Sequence, residues 1–472
     1  MVVAEATDPN RANIAHLLRR AGFGAHPDEV DQATRAGYRA TVESLLAGLR
    51  APDPAGDAVR LPDLTAARVT LGPLPTDPAA RQAYQRQRRA LENRQYVALQ
   101  RWWLDRMIVT STPLREKLTL LWHGHFATAF QKVRVAGLMY RQNQLFRTLG
   151  GASFEALTQA VAKDAAMMLW LDTESNVAGH PNENFARELM ELFTLGIGNY
   201  SEADVQEAAR AFTGWTLSLG NGEFVLNARR HDSGVKTVLG QTGNLDGTDV
   251  VTLITRSPAS SRFVVAKLWS HLAYPVSTTD PIVGPLAAAY AQDLNITSLL
   301  RAILLHPGFT SPTARQGLVK QPIEWVVGLA RAFGVDADVK PTGAAAGAAG
   351  AAGSAGPATG AAATPRTALS SVLTLLAQEP FNPPSVGGWP QNSYWLNTAT
   401  SLIRLQFAAS LGPRLDLSWL TALPANQRPA ELAHRLSVDG WGQTTLAALN
   451  HVASQPTALV ALALCAPEYI LN

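Results

Sequence analysis

The amino-acid sequence predicts a mainly α-helical protein, one large multi-helix domain over residues 1–472 with a short β-hairpin or extended flap near residues 222–240. Apolar residues recur at helical spacing along most of the chain, and Ser, Thr, Asp or Pro stands where helices are expected to begin. Short runs typical of strands are confined to the flap. These observations together favour helices packed on helices.

The first hundred residues are predicted to hold helices on either side of a long loop. Two helices are expected between residues 10 and 50, and residues 51–78 are rich in Pro, Asp and Gly and are expected to be loop. Pro78 then begins a long helix to about residue 110, because proline is accommodated at the first helical position. Its basic run, residues 86–89, is interpreted as a solvated face in preference to a phosphate-binding one.

A helix beginning at Thr112 and Pro113 carries two histidines, His123 and His125. Helical residues two apart diverge by about 200°, so this His-x-His pair cannot hold one ion unless Gly124 breaks the helix, and only one histidine is expected to face inward. His125 continues the apolar stripe and is therefore the inward candidate. It is interpreted either as a group for chemistry or as a core histidine bonded to a backbone carbonyl. The stripe consists of Leu114, Leu118, Leu121 and Trp122.

Residues 152–171 are expected to form a further helix, and the polar loop after it brings Asp172 towards the densest group of functional side chains. That group lies in residues 181–196, with the sequence PNENFARELMELFTLG. Asn182 is expected to cap the helix, and Gly196 to end it in the left-handed conformation. Four apolar residues are predicted to form its buried stripe: Phe185, Leu189, Leu192 and Phe193.

The charged side chains of this helix divide into two predicted groups. Glu183, Arg187 and Glu191 follow one another at i, i+4 and i+8, which is typical of a salt-bridge ladder on a solvated face. Glu188 lies at the edge of the apolar stripe, where an unpaired carboxylate is costly. We therefore expect Glu188 to be partly buried and to meet His125 across the core.

The rest of the chain is predicted to be helical, apart from the flap and two loops. Ser201–Asp204 is a capping-box pattern, and helices resume at about residue 248 after the flap. In the flap, His231 and Asp232 would point to opposite sides of an extended segment, so only one is expected to face a site. Residues 341–365 are rich in Ala and Gly and are expected to be a flexible insertion or linker.

A rigid Pro- and Trp-rich loop occupies residues 380–390. It is followed by Tyr394 and Trp395. This loop either floors a pocket or packs as a corner of the core.

Composition excludes several classes of protein. Hydrophobic residues make up 47% of the chain and charged residues 16%, which indicates a folded globular protein, and no apolar run reaches the roughly 18 residues of a membrane span. The start of the sequence has no secretory signal, so a cytoplasmic protein is expected as written, or an exported one from which a signal was removed. A single cysteine excludes a disulfide framework, and a net charge of +3 does not demand a nucleic-acid partner.

Several stretches of the sequence resemble the bacterial family catalogued as domain of unknown function 1800. They are Trp122-His-Gly-His-Phe126, residues 182–196, His231-Asp-Ser-Gly-Val-Lys236 with Leu239-Gly240, and Gly388-Trp-Pro390. The resemblance continues on both sides of residues 341–365, which implies an insertion within one domain. Members of the family are often exported and encoded near a partner family. The family implies no settled activity, so function must be argued from the residues.

The leading hypothesis is a hydrolase that uses a carboxylate and histidine pocket for general acid–base catalysis, with a glycan-like molecule as the candidate substrate. Glu188 would be the acid or base, a second carboxylate would complete the pair, and histidines would orient substrate or shuttle protons. The predicted catalytic residues are Glu188, Asp172, Asp232, Glu191, His125 and His231. The predicted substrate-binding residues are Trp389, Tyr394, Trp395, Arg187 and Asn184.

Two alternatives remain open. In the first, a divalent metal is the cofactor, with Glu183, Glu188, His125 and His231 as candidate ligands. The Glu-x-x-His spacing of di-iron bundles is absent, and no nucleotide-binding or haem-attachment motif is found. In the second, the protein is a non-catalytic scaffold whose polar helix binds a partner protein.

Overall fold

The computed structural model describes residues 9–218, 222–335 and 365–471. Within these residues the chain is mainly helical, which confirms the predicted fold class. A membrane-crossing helix is not found among them, since none combines sufficient length with sufficient hydropathy. Of the insertion predicted over residues 341–365, only Pro365 lies within the described residues, and a helix begins there.

Helices make up most of the first half of the chain. The α-helices are Pro9–Arg20, Pro27–Ala36, Tyr38–Ala47, Pro54–Asp57, Ala67–Leu71, Pro78–Val109, Pro113–His125, Phe130–Val133, Ala136–Leu149, Phe154–Ala162, Ala165–Trp170, Asn184–Glu188 and Glu202–Ala211. Thr173–Ser175 is a 3₁₀ turn, and Leu189–Thr194 is a π-helix that continues Asn184–Glu188 directly.

The second half is built in the same way. Its α-helices are Gly247–Thr255, Pro258–Leu272, Val283–Tyr290, Ile296–Leu304, Pro312–Arg315, Pro322–Ala332, Pro365–Leu375, Thr398–Leu411, Ser418–Thr421, Arg428–Arg435, Gln443–His451, Pro456–Leu464 and Pro467–Ile470. The 3₁₀ turns are Ala228–Arg230, Pro307–Thr310, Asn392–Trp395, Gly412–Arg414 and Ala425–Gln427.

Local capping residues explain where the predicted boundaries differ from the structure. The prediction of two helices between residues 10 and 50 is wrong, because Gly37, at a φ of 90°, separates a second helix from a third. The helix predicted over residues 152–171 is two helices, because the Asp164 carboxylate accepts a hydrogen bond from the Met167 amide and caps the second one. The long helix from Pro78 ends at Val109, as expected.

The flap consists of two antiparallel hairpins where the sequence predicts one hairpin or an extended segment. Trp215–Leu217 pairs with Phe224–Leu226, and Lys236–Val238 pairs with Gln241–Gly243. The first strand of the flap therefore begins before the predicted segment. Gly214, at a φ of 79°, precedes it at a point where a Cβ would lie 2.6 Å from the Asn227 carbonyl oxygen, so only glycine fits.

Two large hydrophobic cores organise the described residues, and the helix Pro113–His125 contributes to both. Leu118 and Trp122 belong to the first core, most of whose members are buried apolar residues between Phe146 and Ala314. Leu120 belongs to the second, which joins residues before the predicted insertion, such as Trp103, to residues after it, such as Trp395. The two sides of the insertion therefore share one core.

This position between two cores corrects the histidine prediction. His123 and His125 point to different sides of the helix, as expected, but both are buried. The expectation that only one faces inward is wrong, because it presumes a helix with a single buried face.

Candidate functional site

The candidate site is built on the predicted helix in residues 181–196, which changes from α to π geometry at Leu189. Amides of Leu195 and Gly196 both donate to the Met190 carbonyl, at 2.8 and 3.1 Å, and the hydroxyl of Thr194 donates to the Leu189 carbonyl. Gly196 ends the segment at a φ of 77°, as the sequence predicts. Single π turns inside α-helices are frequent at functional sites.

Glu188 lies at the junction of the two geometries and is partly buried. Burial, and next the negative charge of Glu191, raise the pKa of the Glu188 carboxyl above its usual value, and Arg187 opposes them. Within the part of the chain that the structure describes, no hydrogen bond or salt bridge to the Glu188 carboxylate is found. A partly buried carboxyl without a partner is the arrangement in which a proton is held to higher pH.

Glu191 has a partner of its own. Its carboxylate accepts a hydrogen bond of 2.7 Å from the Tyr200 hydroxyl. Burial and this carboxylate raise the pKa of Tyr200 to about 12, so the phenol stays protonated and donates. Tyr200 thus fixes the position of Glu191 beside Glu188.

The predicted salt-bridge ladder is only half formed. Arg187 pairs with Glu183 at 2.9 Å and with Glu202, from the following helix, at 2.7 Å. Glu191 does not join them, because the π turn places more residues in the turn than an α-helix does and breaks the i, i+4 alignment. Arg187, predicted to bind substrate, is therefore already paired with two carboxylates.

His125 is a core histidine with a capping role. Its Nε2 donates to the carbonyl of Phe193 at 2.9 Å, which satisfies a group that the end of the π-helix leaves open. Burial, with the charges of Lys267 and His271, lowers the pKa of His125 well below its usual value, so the ring is neutral. Its Nδ1 is buried and has no hydrogen-bond partner among the described residues.

The predicted meeting of His125 and Glu188 is not found. The charges that act on His125 come from Lys267 and His271, whereas those that act on Glu188 come from its own helix. His125 points to the carbonyl of the π segment, and its ring packs on Phe126, at 4.5 Å between centroids.

His231 and Asp232 tie the flap to the helix Glu202–Ala211. The Asp232 carboxylate accepts two hydrogen bonds from Arg210, at 2.8 and 3.3 Å, and these hold the pKa of Asp232 at about 2. His231 donates from Nδ1 to the Thr213 carbonyl at 2.8 Å, while the Thr213 hydroxyl accepts from the Asp232 amide. Both predicted site residues therefore have structural partners, and no contact joins them to Glu188.

The remaining candidates are also placed by the structure. Asp172 is exposed and pairs with Lys132 at 2.7 Å. Asn184 donates to the Leu171 carbonyl at 3.1 Å and so holds the preceding loop. These contacts give both side chains a role in fixing the entry to the helix.

The aromatic loop is a packed corner, not an open platform. Trp389 is buried against His123, at 5.3 Å between ring centroids, and Trp395 is fully buried in the second core. Neither can offer a face to a substrate. Tyr394 alone of the three predicted aromatic contacts is exposed, at 59%. Gly388, at a φ of 83°, lets this corner lie directly on the Gly124 carbonyl.

The metal alternative gains no support from this geometry. Among the described residues, no three His, Cys, Asp or Glu side chains are grouped so that they could hold a metal ion. Three of the four candidate ligands have other partners: Glu183 pairs with Arg187, His125 donates to the Phe193 carbonyl, and His231 donates to the Thr213 carbonyl.

Sequence reasoning missed a buried charge cluster around Glu116. This carboxylate is fully buried and accepts from Arg106 at 2.8 Å, from Arg147 at 2.6 and 2.9 Å, and from the Trp103 indole at 3.0 Å. Glu116 stands between Arg115 and Lys117 near the start of its helix, a charged run that by itself is typical of a solvated face. Its partners lie 10 and 31 residues away, beyond any local pattern.

Comparison with known proteins places the chain in a family. The model of the family described as protein of unknown function (DUF1800) matches residues 16–471. The chain belongs to this family. No curated protein and no solved structure gives a match to this DUF1800 chain.

Proposed function

We propose that this DUF1800 protein is a hydrolase in which Glu188 is the general acid and Glu191 the second carboxylate. One observation carries the proposal: a partly buried carboxyl with a raised pKa and no hydrogen-bond partner in the described chain lies beside a carboxylate held by Tyr200. Two carboxyl groups in different environments can divide acid and base roles. The two residues are three positions apart on one helix, and the charge of Glu191 acts on Glu188.

The proposed chemistry follows from these roles. Glu188 donates its proton to the leaving-group oxygen, or to the nitrogen of an amide, as the bond to that atom breaks. Glu191 accepts a proton from the water that attacks, and the two residues recover their protonation states through solvent. Tyr200 keeps Glu191 in place during this exchange through its 2.7 Å hydrogen bond.

The substrate class of the proposed hydrolase is broader than a glycan alone. A glycan-like substrate was expected from three aromatic residues, and only Tyr394 is available on the surface. Substrate binding therefore has to come mainly from groups around Glu188, and a test must include esters and amides beside glycosides.

The decisive experiment compares Glu188→Gln with Glu183→Gln. Both changes remove one carboxylate from the same helix, but Glu183 belongs to the surface pair with Arg187. On a panel of chromogenic glycosides, esters and amides, we expect kcat/KM to fall by about 10²–10⁴-fold in the Glu188 variant. The Glu183 variant should keep wild-type activity, and circular dichroism should show both folded.

A pH profile gives an independent readout. Because a general acid must be protonated, activity should fall as pH rises through the raised pKa of Glu188. Glu191→Gln removes the nearby charge, so it should move this alkaline limb to lower pH in addition to lowering the rate. Equal turnover in wild type and the Glu188 variant, or no turnover of any substrate class by the wild type, would contradict the proposal.

A further inference from the structure

A cavity of about 640 Å³ lies on a different part of the molecule from Glu188. It is lined by the chain between Leu49 and Leu61 and by residues of three helices, Pro78–Val109, Pro113–His125 and Ala136–Leu149. Its volume falls within the roughly 300–1,000 Å³ of small-molecule sites. No residue of the proposed catalytic pair lines it.

The lining is strongly cationic. Five arginines face the cavity, at positions 50, 60, 106, 115 and 147, against two aspartates, Asp53 and Asp57. Glu116 lies behind the wall that these lining residues form, and it binds Arg106 and Arg147. Even with Glu116 counted, the guanidinium groups exceed the carboxylates by two.

The inner arginines are held in fixed positions. Arg106 donates to Glu116, to the Gly56 carbonyl at 2.9 Å and to Asp57 at 2.8 Å. Arg147 uses three of the five N–H donors of a guanidinium, two towards Glu116 and one towards Gln144. The wall is therefore rigid, and its cationic groups do not have to be ordered when a ligand binds.

The excess charge lies at the rim. Arg50 and Arg60 are both exposed, and no hydrogen bond or salt bridge from either is found within the described ranges. Positive charges around a concave surface focus the potential and attract anions. Guanidinium groups bind carboxylates and phosphates with two parallel hydrogen bonds.

The wall also has an apolar side. Tyr140 lies edge-on to Trp102, at 5.2 Å between ring centroids, and Val59 and Leu61 complete this side. An organic ligand with an apolar body and an anionic end matches both parts better than an inorganic ion does.

We propose that this cavity binds a small organic anion through its carboxylate or phosphate groups, with Arg50 and Arg60 as the residues that capture it. The inner arginines, balanced in charge by Glu116, Asp53 and Asp57, form the fixed wall against which the ligand lies. This binding is separate from the hydrolysis proposed at Glu188.

Isothermal titration of the full chain tests the proposal with two probes, citrate and inorganic phosphate, at constant ionic strength. The variant carries Arg50→Ala and Arg60→Ala. Its matched control carries Arg86→Ala and Arg89→Ala, which changes the net charge equally on exposed arginines that do not line the cavity. We expect saturable binding of at least one probe, weakened about tenfold or more in the first variant and unchanged in the control.

The titration distinguishes the two kinds of anionic ligand. Tighter binding of citrate favours a ligand with carboxylate groups, and tighter binding of phosphate favours a ligand with a phosphate group. Absence of saturable heat with both probes, equal loss in both variants, or unchanged binding in the rim variant would overturn the proposal. Glu188→Gln should bind the probe like wild type, so failure of the proposed hydrolase leaves this test intact.

Discussion

Glu116 and Glu188 are the same residue type in opposite situations. Glu116 is the more deeply buried, and burial alone would raise the pKa of its carboxyl, yet Arg147 and Arg106 hold that pKa below the usual value. Glu188 is only partly buried, but burial and Glu191 raise its pKa, since Arg187 does not offset them. The comparison shows that partners, and not depth alone, decide whether the pKa of a buried carboxyl is raised or lowered.

The largest expected effect is the loss of stability when Glu116 is replaced. Glu116→Gln leaves Arg106 and Arg147 buried without their counter-charge, so the free energy of unfolding should fall by about 3–5 kcal/mol. Guanidinium chloride unfolding followed by circular dichroism measures it. Glu188→Gln, the matched control, should not destabilise the protein, and an equal loss in both variants would remove the distinction between the two carboxylates.

Glu116 and Glu188 should also affect the pH dependence of stability in opposite directions, with smaller changes in the free energy of unfolding. The lowered pKa of Glu116 contributes stability that is present above its unfolded pKa and lost as pH falls through the folded pKa. The raised pKa of Glu188 works in reverse, because its ionised form is disfavoured in the folded state, which costs stability at neutral pH and nothing in acid.

Unfolding curves at neutral and acidic pH check both signs. The deficit of Glu116→Gln relative to wild type should narrow as pH falls. Glu188→Gln should be slightly more stable than wild type at neutral pH and indistinguishable from it in acid. A Glu188 variant that loses stability at neutral pH would show that this carboxylate has a stabilising partner.

The smallest expected effect concerns the helix on which Glu188 lies. A double-mutant cycle between Arg187 and Glu183 should give a coupling of about 0.3–0.5 kcal/mol, typical of an exposed i, i+4 pair. The cycle between Arg187 and Glu191 should give no measurable coupling, because the π turn separates them. Equal couplings would mean that the helix is a regular α-helix in solution and that Glu191 belongs to the ladder.

Much of the fold could be predicted from local sequence. Pro78 as a helix start and Gly196 as a helix end act through backbone geometry within one turn, and the capping box formed by Ser201 and Asp204 is present as expected. Periodicity also identified His125 as a buried residue. Signals of this kind depend on neighbours close in sequence.

The candidate site could be predicted only in part, since it depends on features without a local signal. The π turn moved Glu191 away from Arg187 and towards Tyr200, and no spacing rule for α-helices anticipates that change. Burial of Trp395 and the pairing of Asp232 with Arg210 depend on tertiary packing. The cationic cavity was missed for the same reason, because its arginines are distant in sequence.

The helix Pro113–His125 links the stability of the two hydrophobic cores. Its 13 residues serve two hydrophobic cores, with Trp122 in one and Leu120 in the other. If either core unfolds and this helix unfolds with it, the other core loses the side chains that the helix contributes to it. The two cores should therefore unfold as one cooperative unit. The amide hydrogens of this helix should exchange with solvent only when both cores are unfolded.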